Sequence, residues 1–124
     1  MRDVSDLVVL FVAAGFAAMG IGALARPALV LAQFGVTVDT GDGRNEVRAV
    51  YGGFGLAIAA LLAVAALGDP ATVDGILVAV AVALGGMAAG RLIGAAFDRP
   101  SSAYPVWVYF AIEVGGAAAL LAAR

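Results

Sequence analysis

Long runs without a charged side chain constrain this chain more than any other feature. Residues 7–25 form about nineteen such positions in a row. At about 1.5 Å per residue, a helix of this length nearly crosses the roughly 30 Å hydrocarbon layer of a bilayer. Further helices are predicted over 46–67, 70–97 and 103–123. Because a bilayer admits only helices or closed barrels and nothing here alternates like a strand, the sequence predicts an all-α integral membrane four-helix bundle with up-down topology, one domain over residues 1–124.

The composition supports a bilayer setting and excludes several functions. Hydrophobic residues make up 64% of the chain, against roughly 45–50% in soluble domains. The net charge is −2 and no basic cluster exists, so nucleic acid is excluded as a partner. Without Cys or His, the commonest metal ligands are missing, and we predict neither a metal nor a cofactor. Any chemistry must therefore rest on Asp, Glu, Tyr or Arg.

The breaks between the predicted helices have recognisable capping patterns. Arg26 and Pro27 end the first helix, and the apolar stretch 28–36 is too short to span, so we predict a short interfacial segment there. Asn45 is a candidate N-cap of the second helix, with Glu46 in its first turn. Asp69 is a candidate N-cap of the third.

Two strips of small residues recur at four-residue spacing, a pattern that lets helices approach closely. The first helix carries Ala14, Ala18 and Gly22, and the third carries Gly86, Gly90 and Gly94. We predict that the second strip packs within the protomer. A homodimer is also compatible with these strips.

Ionisable residues inside the predicted spans indicate a polar site. Glu113 lies about 13 Å deep in the fourth helix, so it should face the bundle and be paired or protonated. Arg91 is its predicted partner, and Tyr109 shares its helix face. Arg48 and Tyr51 are predicted to enter from the second helix on the same side. Two alternatives stay open: the Arg91 and Glu113 pair is purely structural, or it belongs to a functional pocket.

The segment 45–53, NEVRAVYGG, together with Arg91 and Glu113, resembles the small four-helix membrane family known as domain of unknown function 4345. The resemblance covers nearly the whole chain. It implies the fold and a wider likeness to DoxX-like membrane proteins, without an established reaction. By class alone, the chain is also similar to integral-membrane terpene cyclases.

Three functional hypotheses follow from this pattern. The first is a membrane protein whose polar pocket binds a lipid, quinone or isoprenoid. The second is a membrane-embedded enzyme that uses Glu113, tuned by Arg91, for acid–base chemistry such as isomerisation or terpenoid cyclisation. In both, the candidate ligand-binding residues are Glu46, Arg48, Tyr51 and Tyr109. The third is a structural subunit of a larger membrane complex. Glu46 has a simpler explanation in the helix dipole, and Arg48 in contact with lipid headgroups.

The distribution of arginine predicts the orientation. Five arginines lie toward the side of loops one and three, and two toward the other side: Arg26, Arg44, Arg48, Arg91 and Arg99 against Arg2 and Arg124. The positive-inside rule therefore places loops one and three in the cytoplasm and both termini outside. A C-terminal reporter that fluoresces only in the cytoplasm should stay dark, and a fluorescent fusion would contradict this orientation.

Overall fold

A computed structural model describes residues 4–124, apart from the side chain of Pro70. The helices are α1 (Val4–Ala25), α2 (Pro27–Ala32), α3 (Gly41–Val47), a π-helical segment (Arg48–Gly53), α4 (Phe54–Leu67), α5 (Pro70–Phe97) and α6 (Val106–Ala122). Residues 4–124 contain no β-strand, and the predicted all-α class is confirmed. The six-residue α2 occurs where a short segment was predicted after the first helix.

The second predicted helix begins earlier than its sequence indicated. Its helical run, Gly41–Leu67, includes α3, the π-helical segment and α4. The side chain of Thr40 accepts a hydrogen bond from the Gly43 N–H at 3.0 Å. Thr40 is therefore the N-cap in place of Asn45, and the first-turn carboxylate is that of Asp42 in place of Glu46.

The sequence predicted the start of α5 correctly and the start of α6 less closely. Asp69 caps α5 as predicted, because its Oδ1 accepts from the Ala71 N–H at 2.9 Å. The fourth predicted helix was expected to begin at residue 103, but α6 begins at Val106. The preceding chain is held in a turn in which the Ser102 hydroxyl donates to the Tyr104 carbonyl at 2.6 Å.

The chain divides into two compact units, which we describe separately. The α1–α4 unit is Leu10–Val64. A Cβ at Gly20 would lie 2.8 Å from the Gly52 carbonyl oxygen, and one at Gly55 would lie 3.0 Å from the Phe16 carbonyl oxygen. Residue numbers thus rise along α1 as they fall along its partner, so the two helical stretches are antiparallel. Glycine is required at this crossing because the backbones touch.

The α5–α6 unit comprises Ala65–Arg124 together with the start of α1 as far as Val9. Three contacts join α5 to α6 along their length: Arg91 with Glu113, Leu84 with Gly116, and Asp74 with Arg124. The opposite numbering shows that α5 and α6 form an antiparallel hairpin. A short connection over residues 98–105 makes this arrangement possible.

Five of the six buried residues within 71–97 follow one stripe at spacings of three and four, which we call the inner stripe: Val73, Leu77, Val80, Leu84 and Ala88. The sixth, Ala81, lies beside Val80. The predicted glycine strip at 86, 90 and 94 lies on another face of the helix. Apart from the neighbouring backbone of its own helix, a Cβ at any of these three glycines would meet no atom of the described chain within 4 Å. Within the α5–α6 unit the strip therefore has no helix packed against it, and packing elsewhere in the protomer stays a prediction.

The outer surfaces of the helices are those of a membrane protein. Val4–Ala25, Gly41–Leu67 and Ala71–Phe97 are long and apolar enough to span, while α6 has 17 residues, at the lower limit of roughly 17–25. In these three helices only 22%, 33% and 28% of the most apolar window is buried, so most of the apolar side chains face outward. Three to four apolar helices of this kind are compatible with a multi-pass membrane protein.

The glycine contacts predict which small-to-larger substitutions the fold tolerates. Gly20→Ala places a methyl group against backbone atoms of Gly52 and Leu56, at 2.8 and 2.9 Å. It should lower the free energy of unfolding in detergent by about 1–3 kcal/mol. The matched change Gly90→Ala meets no atom within 4 Å and should leave stability equal or higher. If Gly20→Ala and the unsubstituted protein have the same melting temperature, the close approach of α1 to the backbone at Gly52 is contradicted.

Candidate functional site

Arg91 and Glu113 reach each other because both lie on the facing sides of the α5–α6 hairpin. Arg91 comes three residues after Ala88 and so continues the inner stripe of α5. On α6, Glu113 and Leu120 are buried seven residues apart, and Gly116 between them contacts Leu84. The same regular spacing packs apolar residues along most of the hairpin. Near its connected end, it therefore brings the Arg91 guanidinium and the Glu113 carboxylate together.

The two side chains form a forked ion pair. Arg91 Nε donates to Glu113 Oε1 at 2.7 Å, and Arg91 Nη2 donates to Glu113 Oε2 at 2.8 Å. Both carboxylate oxygens are thus engaged by one planar guanidinium, the strongest geometry available to such a pair. The predicted pairing of Arg91 with Glu113 is confirmed.

The two partners differ in exposure. The Glu113 side chain is 4% exposed, whereas that of Arg91 is 22% exposed. Tyr109, four residues before Glu113, places its ring 5.5 Å from the guanidinium carbon of Arg91, within the range of a cation–π contact. The enclosed carboxylate therefore fixes the guanidinium from one edge, the tyrosine ring lies against it, and part of the Arg91 side chain stays accessible.

Aromatic side chains cluster around the start of α6. The rings of Tyr104 and Tyr109 are 6.3 Å apart, and those of Trp107 and Phe110 meet edge to face at 5.7 Å. Tyr104 lies outside the helix, where desolvation and the neighbouring Tyr109 phenol raise its pKa above the usual 10.0. Tyr104 therefore carries no charge at neutral pH and can act there as a hydrogen-bonding group.

The other predicted site residues lie in the α1–α4 unit. Glu46 is exposed on α3, and Tyr51 is partly buried in the π-helical segment. Arg48 Nε donates to the Leu24 carbonyl at 3.0 Å. That carbonyl lies in the last turn of α1, where carbonyl oxygens lack an N–H donor from the helix itself and a nearby positive charge is favourable. Arg48 therefore caps α1, and its convergence with Arg91 and Glu113 stays a prediction.

Asp6 is a buried carboxylate at a position where the sequence alone favours a solvated side chain. It is 0% exposed at the start of α1 and belongs to the α5–α6 unit. Its signal was present in the sequence, because Asp6, Val9 and Ala13 follow a spacing of three and four, and all three are buried. Within residues 4–124, no three His, Cys, Asp or Glu side chains gather closely enough to hold a metal ion.

The apolar helices and the buried ion pair together define a small helical protein of the multi-pass membrane class. Residues 4–123 match the family model of a domain of unknown function (DUF4345). The chain belongs to this family, and the resemblance seen in the sequence is confirmed. No curated protein and no solved structure matches the chain.

The burial of Glu113 predicts strongly non-additive substitutions. Arg91→Leu alone leaves the buried Glu113 carboxylate without its partner and should lower the free energy of unfolding by about 3–5 kcal/mol. Glu113→Leu alone leaves the partly buried Arg91 guanidinium without its partner and should also lower it, by up to about the same amount. The double change removes both charges and should cost less than either single change. The free energy of unfolding is measured by reversible unfolding in detergent for the unsubstituted protein, the two single variants and the double variant.

The exposed pair at the other end of the hairpin provides the control. Arg124 Nη1 and Asp74 Oδ1 are 3.5 Å apart, and their side chains are 45% and 67% exposed. Alanine at either or both positions should change stability by no more than about 1 kcal/mol. Additive effects at Arg91 and Glu113, of the same small size as in this control, would contradict a buried pair.

Proposed function

We propose that this protein binds the polar end of a lipophilic small molecule at the Arg91 guanidinium. The observation that carries the proposal is the unequal exposure of the pair, 22% for Arg91 and 4% for Glu113. An incoming polar group meets the cation, while the carboxylate stays behind it. The ligand class is a lipid, quinone or isoprenoid with an oxygen that accepts hydrogen bonds.

The charge balance of the pair favours an uncharged acceptor. Glu113 already neutralises Arg91, so a carbonyl or hydroxyl oxygen can bind without adding an unpaired charge to the hydrocarbon layer. Tyr109 limits the approach, because its ring covers part of the guanidinium. The apolar side chains on the outside of the helices suit the hydrocarbon part of such a ligand.

The fork also favours binding over acid catalysis. A general acid must carry a proton on one carboxylate oxygen. Protonating Oε1 or Oε2 of Glu113 would remove one of the two hydrogen bonds that Arg91 donates, at 2.7 and 2.8 Å. The geometry is that of an anion that orients a cation, so we assign Glu113 to holding Arg91 in place.

Co-purification tests this proposal. The protein is purified in mild detergent, and its retained organic-soluble molecules are extracted and quantified by mass spectrometry. The unsubstituted protein should retain a lipophilic molecule in roughly stoichiometric amount. The Arg91→Leu/Glu113→Leu double variant keeps a neutral hairpin and should lose most of it, at least about tenfold.

Arg124→Leu is the matched control, because it removes an arginine that is 45% exposed and does not belong to the Arg91 and Glu113 pair. It should retain the ligand as the unsubstituted protein does. If the double variant is folded and retains the same molecules in the same amounts, Arg91 and Glu113 are a structural pair and the proposed site is wrong.

A further inference from the structure

An open cavity lies at the junction of α1 and α2, within the α1–α4 unit. It has a volume of about 310 Å³ and is lined by Gly22, Ala25, Arg26, Leu29 and Val30. Four of these five residues are apolar, and Arg26 alone is charged. The volume is at the lower end of the roughly 300–1,000 Å³ typical of small-molecule sites. The cavity therefore fits part of a larger amphipathic molecule.

Arg26 stands where α1 ends and the chain turns into α2. Its N–H donates to the Gly22 carbonyl at 2.8 Å, and its own carbonyl accepts from the Leu29 N–H at 3.1 Å. These bonds fix the backbone of the turn. The side chain is exposed, and it has neither an ion-pair nor a hydrogen-bond partner among residues 4–124.

The position of this cation along α1 indicates what it meets. The 22 residues of α1, at about 1.5 Å each, cover the whole hydrocarbon layer. The residue that follows α1 therefore lies at the level of the lipid headgroups. An arginine at this depth without a protein partner faces the phosphates of the surrounding lipid, which attract such charges.

We propose that this cavity binds one anionic phospholipid from the bilayer. The Arg26 guanidinium contacts the phosphate, and a segment of an acyl chain lies along Gly22, Ala25, Leu29 and Val30. The occupant carries one negative charge, which complements the single cation of the cavity, and its chain complements the apolar walls. The site shares no residue with the Arg91 and Glu113 pair and does not depend on the function proposed for them.

Two substitutions remove the two halves of the site separately. Arg26→Gln removes the charge and keeps a polar side chain. Gly22→Leu fills the cavity while Arg26 stays, and a Cβ at Gly22 meets no atom within 4 Å, so the new side chain extends into open space. Arg99→Gln is the matched control, because Arg99 is also exposed and follows a spanning helix but does not line the cavity.

Native mass spectrometry of the full chain, titrated with dioleoylphosphatidylglycerol, measures the Kd of the first bound lipid. One arginine at the headgroup level corresponds to about a fivefold change in affinity. Arg26→Gln and Gly22→Leu should each weaken the first Kd by about fivefold or more. Arg99→Gln should change it less than about twofold. Dioleoylphosphatidylcholine should bind the unsubstituted protein more weakly, because its headgroup has no net charge.

Several results would overturn the proposal. If Gly22→Leu binds as the unsubstituted protein does while Arg26→Gln is weaker, the charge attracts lipid without a cavity site. If neither change has an effect, no lipid occupies this place. If inorganic phosphate displaces the first phosphatidylglycerol, the site recognises a free anion in place of a lipid. If Arg26→Gln does not fold, the Kd values of Gly22→Leu for phosphatidylglycerol and phosphatidylcholine decide the matter alone.

Discussion

A buried carboxylate inside an apolar hairpin must be neutralised, and this requirement organises the α5–α6 unit. Leaving Glu113 charged and unpaired in hydrocarbon would cost at least about 2.5–3.5 kcal/mol on insertion scales. Arg91 removes that cost by donating to both oxygens, at 2.7 and 2.8 Å. Because the fork tolerates little displacement, it also fixes the register of α5 against α6, which apolar contacts such as Leu84 with Gly116 leave less sharply defined.

The α1–α4 unit is held by different means. Its helices approach until the backbones of Gly20 and Gly52 touch, and Arg48 then bonds to the Leu24 carbonyl at the end of α1. The π-helical segment Arg48–Gly53 carries both Arg48 and Tyr51. π-Helical turns are uncommon and frequently occur at functional sites. The segment that most resembled a family motif is thus used, at least in part, to join two helices.

The sequence predicted the helices, their class and the meeting of Arg91 with Glu113, because a bilayer permits few alternatives for apolar runs and buried charges. It did not predict which small residues lie at close contacts. Gly90 and Gly52 look alike in sequence, and only the packing of neighbouring helices decides that one is exposed and the other buried. The sequence also did not predict the burial of Asp6, because a carboxylate near the start of an apolar helix is most simply expected to be solvated. The sequence also did not predict that Arg48 bonds to the end of α1, and its role at a ligand stays a prediction.

Solid-state NMR in lipid bilayers tests the central claim most directly, by measuring the distance between the Glu113 carboxyl carbon and the arginine guanidinium nitrogens. The chain has two glutamates, Glu46 and Glu113, so carboxyl labelling of glutamate gives two signals, and Glu113→Gln assigns them. We expect one carboxylate in direct contact with guanidinium nitrogen, as the N–O distances of 2.7 and 2.8 Å require. If instead the Glu113 signal is that of a protonated carboxyl, or shows no closer nitrogen than Glu46 does, the forked pair does not exist in the membrane and the account fails.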